Sequence, residues 1–235
     1  MIDLHLSCLE DDSVEAVKTI VSASRLPILA LNYNSTYEWK ELGLTEEERT
    51  ASLLRAAKAG AAGIDMQGYT FDTASLTGYV GTKHYSFTDG NPKEIVTDEG
   101  VISKQCALIE KAHALGAEVL LSCHPGIYMN CDQVVELALF LEKRSPDIIK
   151  IVTGACDDEE QMIEVMRTMV ALKKELRTPV SYHANGKAAA LTRIVNPLLG
   201  GQIAFCVDRF SESSTMGQLD LRTARRIVDD MKKIL

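Results

Sequence analysis

A parallel sheet wrapped in helices, closed as a TIM-type barrel in one domain over residues 1–235, is the α/β fold that this chain predicts, on three observations. Short apolar runs alternate strictly with longer amphipathic segments. No Pro/Gly/Ser-rich linker and no shift of composition divides the 235 residues. No glycine-rich fingerprint follows the first apolar run, as an open doubly wound sheet would usually carry. With 46% hydrophobic residues, the chain can also bury a large core.

The apolar runs come in order as Ile2 to Leu6, Pro27 to Tyr33, Ala62 to Met66, Glu118 to Ser122, Asp147 to Val152, Thr178 to Tyr182 and Gln202 to Cys206, which makes seven strand candidates. Between them, Glu46 to Ala59, Ile102 to Ala114, Cys131 to Lys143, Glu159 to Glu175 and Leu221 to Lys233 place apolar residues at helical spacing. Thr45 with Glu48 three residues on reads as a capping box, and Gly60 and Gly116 stand where helices would stop. One stretch breaks the rhythm. Thr70 to Gly100 holds several Gly and aromatic residues without a helical period, and reads as an insertion that is either a lid or a surface hairpin.

Composition narrows the partners. A formal net charge of -8 argues against nucleic acid or an anionic membrane, but leaves room for a small anionic ligand captured by a local arginine. The six cysteines are scattered without a C-x-x-C pair, and neither a signal peptide nor a membrane-length apolar stretch is visible, so a reduced, cytoplasmic, soluble protein is expected. No H-E-x-x-H, metal triad or phosphate loop appears, so no metal and no cofactor is expected.

In a barrel the chemistry sits at the C-terminal ends of the strands. The polar residues there are Asp3 and His5, Asn32 and Asn34, Asp65 and Gln67, His124, Lys150, His183 and Arg193. Two of them stand out. Lys150 lies inside Asp147-Ile148-Ile149-Lys150-Ile151-Val152, where desolvation would disfavour its ammonium and leave an amine able to attack a ketone. His124 ends the preceding run, Ser122-Cys123-His124, as a plausible proton shuttle. Taken singly, Lys150 reads as a snorkelling edge lysine and His124 as a satisfied polar residue; together they point to Schiff-base chemistry on a carbonyl. His183 and His84 belong to no motif and read as structural or solvent-facing.

The order of these residues resembles the type I 3-dehydroquinate dehydratases. Ser122-Cys123-His124 is similar to the family's S-x-H, Asp147 to Ile151 to its D-I-x-K-I, the segment Gly186 to Ile194 to the one ending in S-R-hydrophobic, and Ser214-Thr215-Met216-Gly217-Gln218 to its S-A-P-G-Q loop. The resemblance is specific over residues 117–235 and weaker before them. It implies a (β/α)8 barrel, a homodimer, and a cofactor-independent dehydratase of the shikimate pathway and aromatic amino acid biosynthesis. Lys150 would form the imine, His124 would move protons, Arg193 would clamp the substrate carboxylate, and Ser214 and Gln218 would close over it.

The front half departs from the family. Asp3-Leu4-His5 stands where the family has E-x-R, Asn34 where it has a second arginine, and Gln67 where it has a glutamate. An imidazole or amide lacks the fork and permanent charge of a guanidinium, so Asp3, His5 and Asn34 imply altered substrate reading. The chain also begins at the family's second strand, so the barrel is expected to lack the first or to recruit a substitute. Three functions stay open: conversion of 3-dehydroquinate to 3-dehydroshikimate, the same imine chemistry on another hydroxy-keto acid, or a non-catalytic barrel that binds carboxylates.

Overall fold

The computed structural model describes residues 1–33, 43–77, 93–154, 156–210 and 218–234. Six strands form one parallel sheet in sequential order: β1 (Ile2–His5), β2 (Ile28–Leu31), β3 (Gly63–Gln67), β4 (Glu118–Cys123), β5 (Ile148–Thr153) and β6 (Val180–Ala184). The helices are α1 (Val14–Ala23), α2 (Glu46–Lys58), α3 (Glu99–Ala114), α4 (Cys131–Glu142), α5 (Glu159–Glu175), α6 (Ala190–Val195) and α7 (Leu221–Met231). The capping box forms on α2, where the Glu48 amide donates to Thr45 Oγ1 at 3.2 Å and the Thr45 amide donates back to Glu48 Oε2 at 2.9 Å. Gly60 and Gly116 end α2 and α3 with φ of 97° and 84°, conformations that cost a side chain energy. Sequence reading did not pick out α1 or α6. All six cysteines are free.

Successive side chains of a strand point to opposite faces. The outer face carries Ile64, Met66, Leu121, Ile149, Ile151 and Tyr182, which pack against Leu53, Leu108, Val134, Leu137 and Leu172 of the helices in the main core. Burying each such side chain contributes about 1.5–3 kcal/mol, so the outward isoleucines anchor β5 firmly whatever its inward residues cost. The inner face has a smaller apolar cluster of Leu29, Leu120 and Ile203, with Ile148 and Phe205 against it.

That inner cluster shows the sheet is curled. In a flat sheet β1 and β5 would lie roughly 19 Å apart at the usual spacing. Here Leu29 of β2 joins Ile203, which follows β6, and Asp3 of β1 feels the charge of Lys150 on β5. The fold is a TIM-type barrel that is incomplete among the described residues, where β1 pairs with β2 alone.

The seventh strand candidate needs correcting. Residues 202–206 form no strand, although Gln202 donates its amide to Val180 O at 2.9 Å and Val207 makes one parallel bridge to Asp220. The reason lies in side chains that take the place of a ladder: Ser181 Oγ and Asn196 Nδ2 both donate to Ile203 O, at 2.7 and 2.8 Å. The segment lies along β6 and turns Ile203 and Phe205 inward without regular pairing.

Candidate active site

Strand register sets the levels of the inner face. Lys150 pairs with Ser122 on one side and Ser181 on the other, while Val152, one inward step higher, pairs with His183. His124 follows directly on β4, whose last paired residue Cys123 faces Ile151, so it emerges at the level of Val152. Lys150 therefore sits one layer below a mouth flanked by two imidazoles. Two predicted groups, Lys150 and His124, thus belong to the same face of adjacent strands, one layer apart.

Lys150 is buried, yet its ammonium is not stranded. Nζ lies 3.9 Å from Asp65 Oδ2 on β3 and 4.3 Å from the centroid of the Phe205 ring, and it donates no hydrogen bond among the described residues. Asp65 is committed elsewhere, since Ser122 Oγ donates to its Oδ1 at 2.6 Å and Gln67 Nε2 donates to its backbone carbonyl at 2.8 Å. Gln67 in turn accepts from Arg49 Nη1, and Arg49 Nη2 donates to Thr70 Oγ1 at 2.7 Å. The sequence suggested desolvation as the sole influence on Lys150; the fold adds a fixed carboxylate and an aromatic face, neither of which takes up its donors.

His124 is held by a residue that sequence reading missed. Glu94 Oε2 accepts from the His124 backbone amide at 3.0 Å and lies 2.8 Å from Nδ1. With a carboxylate on Nδ1, that nitrogen carries the proton and Nε2 is the ring nitrogen left with the lone pair. Glu94 comes from the end of the Thr70 to Gly100 insertion and has a left-handed backbone, φ 60°. Its position is stitched by Lys93 N–H to Pro125 O at 2.8 Å and Glu94 N–H to Ser75 O at 2.8 Å. The close approach needs Gly68, where a Cβ would stand 2.3 Å from Glu94 O. Residues 78–92 of the insertion lie outside the described residues, as does His84. No periodicity could have found Glu94, because only folding sets the insertion against the end of β4.

The front-half substitutions also reach the site. Asp3 and His5 share one face of β1, and both feel Asp65 and Lys150. The His5 ring lies 5.9 Å from that of Tyr33, which is 6.4 Å from that of His124. Desolvation keeps His5 below the usual histidine range. The Asp3 carboxyl is pushed up to about 7, chiefly by desolvation and then by Asp65, while Lys150 pulls the other way. Gln67, by contrast, is fully buried and spends its amide on Arg49 and Asp65. Asn34 and Ser214 lie outside the described residues.

The Asp3 shift gives a stability prediction. A carboxyl that holds its proton more tightly folded than at its free value of 3.8 costs nothing below that pH, and a penalty grows as pH rises towards about 7. The Asp3→Asn variant should therefore gain melting temperature relative to the parent across that window and hold the gain above it. Asp3 is exposed at the surface of β1, so water screens much of the effect and the expected gain is small. A melting-temperature difference that stays flat from acid to alkaline pH would contradict the placement.

On the far side, Arg193 lies on α6, half-buried, and its Nη2 donates to Asn185 Oδ1 at 2.7 Å. Gln218 is half-buried two residues before Asp220, which bridges to Val207, and makes no hydrogen bond among the described residues. His183, which sequence reading set aside, is buried at 5% exposure on the inward face of β6, close enough to Arg193, Lys150 and His124 to feel their charge. Among the described residues no group of three or more His, Cys, Asp or Glu is arranged to hold a metal, and no helix is long and apolar enough to cross a membrane.

Comparison with known proteins supplies the context. The type I 3-dehydroquinase family model matches residues 94–234. No curated protein matches. Among solved structures, a type I 3-dehydroquinate dehydratase from Clostridium difficile, determined with covalent modified comenic acid, aligns with TM-score 0.75 and 14% identity, covering 100% of this chain and 82% of that one. The Geobacillus kaustophilus 3-dehydroquinate dehydratase gives TM-score 0.68 at 15% identity, covering 94% of this chain and 76% of that one. The Enterococcus faecalis 3-dehydroquinate dehydratase gives 0.66 at 14%, covering 98% and 82%. These likenesses carry the fold, and the family model, which takes in more than half of the sequence, carries the descent: the chain belongs to the type I 3-dehydroquinase family.

Proposed function

We propose that this protein is a Schiff-base-forming hydro-lyase that converts 3-dehydroquinate to 3-dehydroshikimate and water. The observation that carries the reading is that Lys150, an amine with no hydrogen bond among the described residues, lies one layer below His124, an imidazole held by Glu94, on the adjacent strand. Lys150 Nζ attacks the ketone carbon and water leaves, giving a protonated imine that draws electrons from the neighbouring C–H bond. His124 Nε2 takes the α-proton, and the electron pair expels the β-hydroxyl, which leaves as water with the proton that His124 returns. Hydrolysis of the imine consumes the first water and frees Lys150, so one water is lost overall. Arg193 holds the carboxylate, and Asn185 turns the guanidinium towards it.

The replaced arginines favour a second reading, in which the same imine chemistry serves a different hydroxy-keto acid. His5 stands where the family places a guanidinium, and the loss of a charge and a fork changes what the site rejects. Borohydride reduction decides between them. A stable mass addition at Lys150 with 3-dehydroquinate, together with 3-dehydroshikimate formation, supports the first. Addition only with another hydroxy-keto acid supports the second, and none with any candidate leaves a non-catalytic carboxylate-binding barrel.

Glu94 offers a further check within this mechanism. Glu94→Ala should lower kcat by about 10- to 100-fold with little change in KM, because His124 loses the partner that sets its tautomer and direction. Glu94→Gln keeps an acceptor oxygen and should retain more activity than Glu94→Ala. Equal activity of the two variants and the parent would remove Glu94 from the mechanism.

A further inference from the structure

The inward face of β6 carries a polar group that neither step of the imine chemistry uses. His183 is 5% exposed, and its ring makes no hydrogen bond among the described residues. Its surroundings say what the ring can offer. Desolvation, reinforced by Arg193, Lys150 and His124, holds it well below the usual histidine range, so at neutral pH the ring is uncharged. Such a ring offers one N–H donor and one lone-pair acceptor, a combination that suits a hydroxyl.

Position then selects which hydroxyl. His183 lies one inward step above Ser181, the register partner of Lys150, and two residues before Asn185, which accepts from Arg193 at 2.7 Å. A substrate with its ketone at Lys150 and its carboxylate at Arg193 must pass His183 on the way. We propose that His183 is a specificity-determining residue that hydrogen-bonds the substrate hydroxyl lying between ketone and carboxylate, so that the site selects hydroxy-keto acids over their deoxy counterparts. This assignment rests on the imine reading of Lys150.

Imine formation does not require the hydroxyl to leave, so trapping rates isolate its recognition. The rates of borohydride-trapped adduct at Lys150 are compared for 3-dehydroquinate and for the analogue lacking the hydroxyl on its carboxylate-bearing carbon. The parent protein is expected to favour 3-dehydroquinate by roughly 10- to 100-fold, the cost of leaving a buried polar group unpaired. His183→Leu should bring the ratio close to unity while the rate with the deoxy analogue is kept, which also shows that the variant folds. His183→Gln should restore part of the preference. A ratio unchanged in His183→Leu, a parent without preference, or an equal fall in both rates would overturn the role of His183 alone. No adduct on the parent with either compound would overturn the imine reading and this assignment with it.

Discussion

Lys150→Ala is expected to abolish covalent trapping and to reduce turnover by at least about 10⁴-fold, the scale on which removal of a covalent nucleophile is felt. The effect is large because the register neighbours of Lys150 are Ser122 and Ser181, and neither serine can form an iminium electron sink. The fold should survive the change. Asp65, 3.9 Å away, keeps its 2.6 Å bond from Ser122 and the support of Gln67, so its loss of a counter-charge should cost about 1–3 kcal/mol. Lys150→Met, which preserves the stem against Phe205, should lose turnover equally and stability less. Mass spectrometry after borohydride reduction and thermal denaturation check the two parts. An adduct that persists in either variant, or maps to a different lysine, would refute the assignment of the nucleophile.

His124→Ala should separate the two halves of the reaction. Imine formation at Lys150 should continue, whereas turnover should fall by about 10²- to 10⁴-fold, the usual contribution of a placed general acid–base. The α-hydrogen of the bound substrate should also stop exchanging with deuterium from the solvent, since the Glu94 contact on Nδ1 leaves Nε2 as the ring nitrogen that takes the proton. A parallel loss of trapping and turnover would instead mean that His124 acts before the elimination or only supports the fold. Retention of exchange would mean that another base, with His183 the nearest candidate in register, removes the proton.

Much of the architecture could be read before folding because its physical causes are local. Five of the helical segments follow from spacing of apolar residues, and the capping box at Thr45 and the stops at Gly60 and Gly116 depend on neighbours a few positions away. The central strands are legible for a related reason: both of their faces are covered, so they read as unbroken apolar runs. Within such a run a lysine is conspicuous, which is why Lys150 was visible. Where local cause failed, so did the reading. Residues 202–206 look like a strand, but Ser181 and Asn196 occupy the carbonyl that a ladder would have used.

The sequence by itself determined the alternation of strands and helices and the family, and it singled out Lys150 within one apolar run and His124 at the end of the run before it. Only the tertiary structure decided what surrounds them. Asp65 beside Lys150, Glu94 on His124, Asp3 and His5 across the barrel, and His183 turned into the pocket are brought together from elements far apart in the chain. The physical reason is that charge, desolvation and hydrogen bonding act over a few ångströms of space, while spacing along a sequence reports only the neighbours within one strand or one turn of helix.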